Sequence, residues 1–83
     1  MTAELSSRVR SVVSATFGIP IAQITEATGA DTLEAWDSMN QLHLIVALEA
    51  EFDISLEPEL AVELTSVRAI EETLRELVAR QGR

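Results

Sequence analysis

Apolar residues recur three and four positions apart in three separate stretches of this chain, and that period is the spacing of helices with one buried face. From Ala3 to Phe17 the pattern is carried by Leu5, Val9, Val12, Val13 and Phe17. From about Asp37 to Phe52 it places Met39, Leu42, Ile45, Val46, Leu48 and Phe52 on the apolar side and leaves Asn40, Gln41, Glu49 and Glu51 to water. Val67, Ile70, Leu74, Leu77 and Val78 keep the spacing until Gly82, and Thr65 or Ser66 can cap that last helix. After the connector Ile54 to Pro58, the proline suits the first turn of a short third helix carrying Leu60, Val62 and Leu64. Strand alternation is absent. The chain is therefore expected to be all-α, a single domain over residues 1–83, with three longer helices, one short one and a long first loop.

That loop, residues 18–36, opens on Gly18 and Pro20 and is too polar at Thr25 to Gly29 for a regular element. Connections of this length are normally functional or pinned by their own side chains, and Ile19, Ile21, Ile24, Leu33 and Trp36 could pin this one.

With 83 residues there is room for one core, because so short a chain buries only about 60–65% of its unfolded surface. A separate water-excluding active site is hard to fit beside it, and no enzyme is expected. There is no cysteine, so disulfides, thiolate nucleophiles and thiolate metal sites are excluded, and a cytoplasmic setting fits. The first residues, with Glu4, Arg8 and Arg10, lack the apolar run of a signal peptide, and the longest apolar stretch, Leu44 to Leu48, is far too short to span a membrane. A formal charge of −8 repels nucleic acid and anionic membranes and favours a monomer. No Lys or Arg lies between Arg10 and Arg68. In the terminal segments Glu4 and Arg8, Glu71 and Arg75, and Glu76 and Arg80 have the spacing of helix-face ion pairs.

The long loop meets the second helix at Trp36-Asp37-Ser38-Met39. A helix start offers unpaired N–H groups and partial positive charge, which suit an attached phosphodiester. If Asp37 caps the helix, Ser38 takes its first position with the hydroxyl directed outward. The competing reading is structural: Ser38 and Gln41 match a Ser-x-x-Gln capping box, in which the serine merely satisfies backbone donors.

Asp37-Ser38-Met39 resembles the Asp-Ser-Leu signature of acyl and peptidyl carrier proteins. The stretch from Leu42 through Glu49-Ala50-Glu51-Phe52 to Ile54 is similar to that family's acidic second helix, and Leu64-Thr65-Ser66-Val67 with Ile70 to the turn that opens its last helix. The resemblance implies a four-helix bundle of the acyl carrier protein type. It implies a 4′-phosphopantetheine arm, moved from coenzyme A onto Ser38 by a phosphopantetheinyl transferase, with Asp37 and Met39 beside the attachment point. The arm's thiol, supplied from outside a cysteine-free chain, would hold an acyl group as a thioester. Acyl-loading and acyl-using enzymes would recognise the second helix and its flanking loop, with Asp31, Glu34, Trp36, Gln41, Leu42 and Glu49 as candidate contacts.

The chain departs from the family pattern at Met39, which replaces leucine at similar volume. Asn40, Gln41 and His43 make the front of the helix nearly neutral where many fatty-acid carriers are acidic, and Trp36 is more typical of carriers in specialised pathways. Fatty acyl, polyketide and aminoacyl cargo all fit. The alternative is an unmodified helical interaction module in which Ser38 only caps and Glu49 and Glu51 bind a basic partner. A Ser38–His43 hydrolase is disfavoured, because five residues of helix set the two side chains roughly 140° apart. The carboxylates at Asp31, Glu34 and Asp37 lack the alternating ligands of a calcium loop.

Overall fold

The computed structural model describes residues 2–81; Gly82, the expected end of the last helix, lies outside them. Four helices follow one another, α1 (Thr2–Phe17), α2 (Ser38–Phe52), α3 (Pro58–Ala61) and α4 (Val67–Gln81), with a single 3-10 turn at Ile21–Gln23 and no strand among the described residues. The fold is thus the all-helical bundle that the periodicity predicts, and of the carrier type that the resemblance implies.

Helix α1 packs against both α2 and α4. Its Leu5, Val9, Val12 and Val13 meet Leu44, Ile45, Leu48 and Phe52 of α2 and Val67, Ile70 and Leu74 of α4 in one core. Each such buried side chain contributes roughly 1.5–3 kcal/mol, far more than intrinsic propensity gives a helix of this length. The inward face of α2 differs from the expected one. Met39, Leu42 and Val46 are about two-thirds exposed, while Leu44, which the periodic reading omitted, is fully buried. Apolar residues surround most of this helix, and packing against α1 decides which of them turn inward.

The C-terminal ends of α1 and α2 both use left-handed backbone. Gly18 (φ 70°) follows α1 and donates its N–H to the Ser14 carbonyl at 2.8 Å. Asp53 (φ 56°) ends α2, with Ile54 N–H on the Glu49 carbonyl at 3.2 Å. Arg8 reaches this end from α1, donating from Nη2 to the Glu51 carbonyl at 2.7 Å and from Nε to Glu51 Oε2 at 3.0 Å, with its guanidinium 4.5 Å from the centre of the Phe52 ring. A cation here offsets the acidic residues that otherwise oppose the helix dipole.

The first loop is pinned by Ile24 and Trp36, both buried, and by half-buried Ile19 and Leu33, while Trp36 stacks on Phe17 at 4.8 Å. Ile21 is not a pin: the 3-10 turn leaves it 47% exposed. The loop also pairs with the entry to α4, where Ala30 N–H meets the Thr65 carbonyl (2.9 Å) and Val67 N–H the Thr28 carbonyl (2.8 Å). Gly29 permits this approach, since a Cβ there would lie 2.5 Å from the Thr65 oxygen. Of the two candidate caps for α4, Ser66 acts, its Oγ accepting the Ala69 N–H at 3.1 Å.

One charge expectation holds and one changes. Glu76 and Arg80 do pair along the helix at 3.8 Å. Glu71 instead turns inward, 4% exposed, and accepts from Ser6 Oγ (2.8 Å) and Arg10 Nε (3.2 Å) of α1. A partner across the interface holds a carboxylate on the packed face better than one along the solvent face. The third helix is shorter than expected, ending at Ala61 with Val62 exposed, while Leu64 beyond it is buried.

Candidate functional site

Asp37 and Ser38 divide the helix start between them. Asp37, in extended backbone, accepts the Asn40 N–H on Oδ1 at 2.9 Å and the Gln41 N–H on its carbonyl at 2.8 Å. It is the N-cap of α2, so the Ser-x-x-Gln capping box does not form. Ser38 is the first helical residue and is exposed, with its side chain released from capping. The N–H groups of Ser38 and Met39 take no acceptor among the described residues, as helix geometry requires of a first turn. A hydroxyl in solvent, two free amide donors and the positive end of the helix dipole lie together, which is a setting for an esterified phosphate.

Asn40 braces this cap, its Nδ2 donating to the Ala35 carbonyl at 2.8 Å. The sequence signal for that role was weak, since only its position in the first turn singles it out. Three candidate partner contacts are engaged in holding the fold. Trp36 is buried at 4% exposure, and its indole N–H is accepted by Gln41 Oε1. Gln41 Nε2 in turn donates to the carbonyls of Ala61 and Leu64, each at 3.0 Å. Glu49 Oε2 accepts the Leu56 N–H at 2.8 Å and so fixes the chain that leaves α2. Asp31, Glu34, Met39, Leu42 and His43 are exposed.

Between α2 and the turn after α3 runs an open groove of about 630 Å³ that starts at Asp37 and Ser38 and passes Gln41 and Leu42 toward Val62 and Thr65. Met39, Leu42 and Val46, at positions three and four apart on α2, form an exposed apolar strip, and Val62 is likewise 68% exposed. Val62 and Thr65 were not anticipated as part of this surface, because only the return of the chain after α3 brings them opposite Ser38.

A helical bundle with a long first loop, and with a capped second helix that opens on an exposed hydroxyl, is the architecture of a carrier protein. Comparison with known families gives the specific class: the chain belongs to the phosphopantetheine attachment site family, whose model matches residues 7–74. Members of this family bind 4′-phosphopantetheine. The residues present fit such a group, offering a hydroxyl, first-turn amides for a phosphate and a groove beside them.

Proposed function

We propose that the chain carries an acyl group as a thioester on a 4′-phosphopantetheine arm esterified to Ser38, and presents it to partner enzymes without chemistry of its own. The observation that carries this is the cap: Asp37 satisfies the helix start, so Ser38 Oγ is exposed and free for a phosphopantetheinyl transferase to use as acceptor. When attached, the group supplies a terminal thiol that the cysteine-free chain lacks. The chain's part is to hold the phosphate over the Ser38 and Met39 amides and to offer a surface to partners. Met39 and Leu42 supply that surface's apolar part, and Asp31 and Glu34 its acidic approach.

The neutral front of α2, formed by Asn40, Gln41 and His43, together with Trp36, favours a specialised biosynthetic pathway over fatty acid synthesis. We place the protein in the cytoplasm as a monomer. The absence of a helix long and apolar enough to cross a membrane among the described residues is compatible with that setting, and the charge of −8 opposes self-association. The alternative of an unmodified module loses one support, because Asp37 and not Ser38 is the cap; Glu49 holds the Leu56 amide, while Glu51 pairs with Arg8 at the surface.

Incubation with coenzyme A and a broad-specificity phosphopantetheinyl transferase tests the proposal by intact mass. The expected result is a mass gain that Ser38→Ala abolishes. An unchanged mass with several transferases, or a gain that survives Ser38→Ala, would overturn it.

A further inference from the structure

The chain from Pro58 to Leu64 places Val62 on the far wall of the groove at Ser38; Leu64 anchors it in the core, but few hydrogen bonds join it to α2. Its backbone hydrogen bonds are local: Leu60 and Ala61 donate to Glu57, Val62 to Pro58, Glu63 to Leu60 and Leu64 to Ala61. A four-residue helix has no stability of its own. Among the described residues, the hydrogen bonds that tie this wall to α2 come from one side chain, Gln41, through its Nε2 to the Ala61 and Leu64 carbonyls. The same amide accepts the Trp36 indole N–H, and Trp36 lies two residues before Ser38. Gln41 is three residues after Ser38, on the next turn of α2, and itself lines the groove.

We propose that Gln41 is the positioning residue of the Ser38 site: through its amide it locks the Trp36 loop and the turn after α3 to α2, and so sets the groove at the foot of the arm that a transferase must recognise. This rests on Ser38 as the attachment residue. A planar amide suits the task because it accepts on one side and donates two N–H groups on the other, and no other side chain does both at that length and without charge. Two substitutions split the functions. Gln41→Glu keeps the acceptor for Trp36 and loses the donors, turning a carboxylate toward two carbonyls. Gln41→Lys keeps donors for those carbonyls and loses the acceptor for Trp36.

The test combines amide hydrogen exchange on the unmodified full chain with transferase kinetics. In Gln41→Glu, amides of residues 60–64 should exchange at least fivefold faster while those of Leu44 to Leu48 and Ile70 to Leu74 stay within twofold of wild type. In Gln41→Lys, residues 60–64 should stay protected and the Trp36 indole N–H should exchange at least fivefold faster. Both variants should raise the transferase KM for the carrier at least threefold with kcat within twofold, because Ser38 and its Asp37 cap are untouched. Smaller changes in exchange, a rise spread evenly over the bundle, or faster local exchange with an unmoved KM would each overturn the proposal. Wild-type protein that gains no mass would defeat the Ser38 reading, and the proposal with it. Wild-type protein that loads while the Gln41 variants load as well would defeat only the positioning role.

Discussion

Replacing Asp37 with alanine removes an acceptor and a charge at once, and the structure allows the two losses to be separated. The acceptor is the 2.9 Å bond from Asn40 N–H to Oδ1, whose removal from an N-cap costs typically about 1 kcal/mol, within a range of roughly 0.5–2. The charge sits at the positive end of α2 on an exposed residue, where it contributes about 0.3–1 kcal/mol at low salt. Asp37→Ala is therefore expected to destabilise the bundle by roughly 1.3–2 kcal/mol, and Asp37→Asn, which keeps an acceptor, by roughly 0.3–1. For a domain of this size 1 kcal/mol corresponds to about 4–8 °C, so the alanine variant should melt roughly 5–16 °C lower. Urea titration followed by far-UV circular dichroism gives both differences. Repeating it at about 1 M salt, where screening extends over about 3 Å, should close the gap between Asp and Asn and leave that between Asn and Ala. Asparagine as damaging as alanine, or alanine as stable as wild type, would refute the assignment of Asp37 as the cap and remove the reason Ser38 is free.

The buried carboxylate gives a second prediction: Glu71→Ala should cost roughly 2–3 kcal/mol in the same titration. That is below the 3–5 expected of a fully buried broken pair, because the Arg10 side chain is 29% exposed and reaches water. Glu26→Ala, at an exposed pair with Arg68, should change stability by no more than about 1 kcal/mol. Gly29→Ala should cost roughly 1–3 kcal/mol and weaken hydrogen-exchange protection of the Ala30 amide, since its Cβ would press on the Thr65 oxygen. Asp53→Asn should stabilise by about 0.3–1 kcal/mol, read as a raised urea midpoint, because asparagine accepts the left-handed conformation and lifts a negative charge from a helix C-terminus.

What could be read from the sequence was local. The cap at Asp37 and the exposed position of Ser38 follow from four consecutive residues, and the helices from a period that each displays within its own length. Where the reading changed, the deciding partner was distant. Gln41 is held by carbonyls 20 and 23 residues away, Glu49 by an amide seven residues on, and Glu71 by α1 residues 61 and 65 positions earlier. No spacing rule reports such partners. The orientation of α2 was hidden for another reason: Met39, Leu42 and Val46 have the spacing of a buried face, and only the docking of α1 shows that Leu44, Ile45, Leu48 and Phe52 are the residues that turn inward.

That orientation bears on how the carrier meets its partners. Of the polar side chains on α2, Asn40, Gln41, Glu49 and Glu51 are each committed to a bond within the fold. What α2 leaves outward along the strip beside Ser38 is apolar and about two-thirds exposed. The net charge of −8 makes copies of the chain repel one another at long range. A partner that carries an apolar surface of its own gains by covering the strip. Under the proposed function, the negative charge at Asp31 and Glu34 would act at longer range, drawing a partner with a basic rim toward the site before apolar contact over Met39 and Leu42.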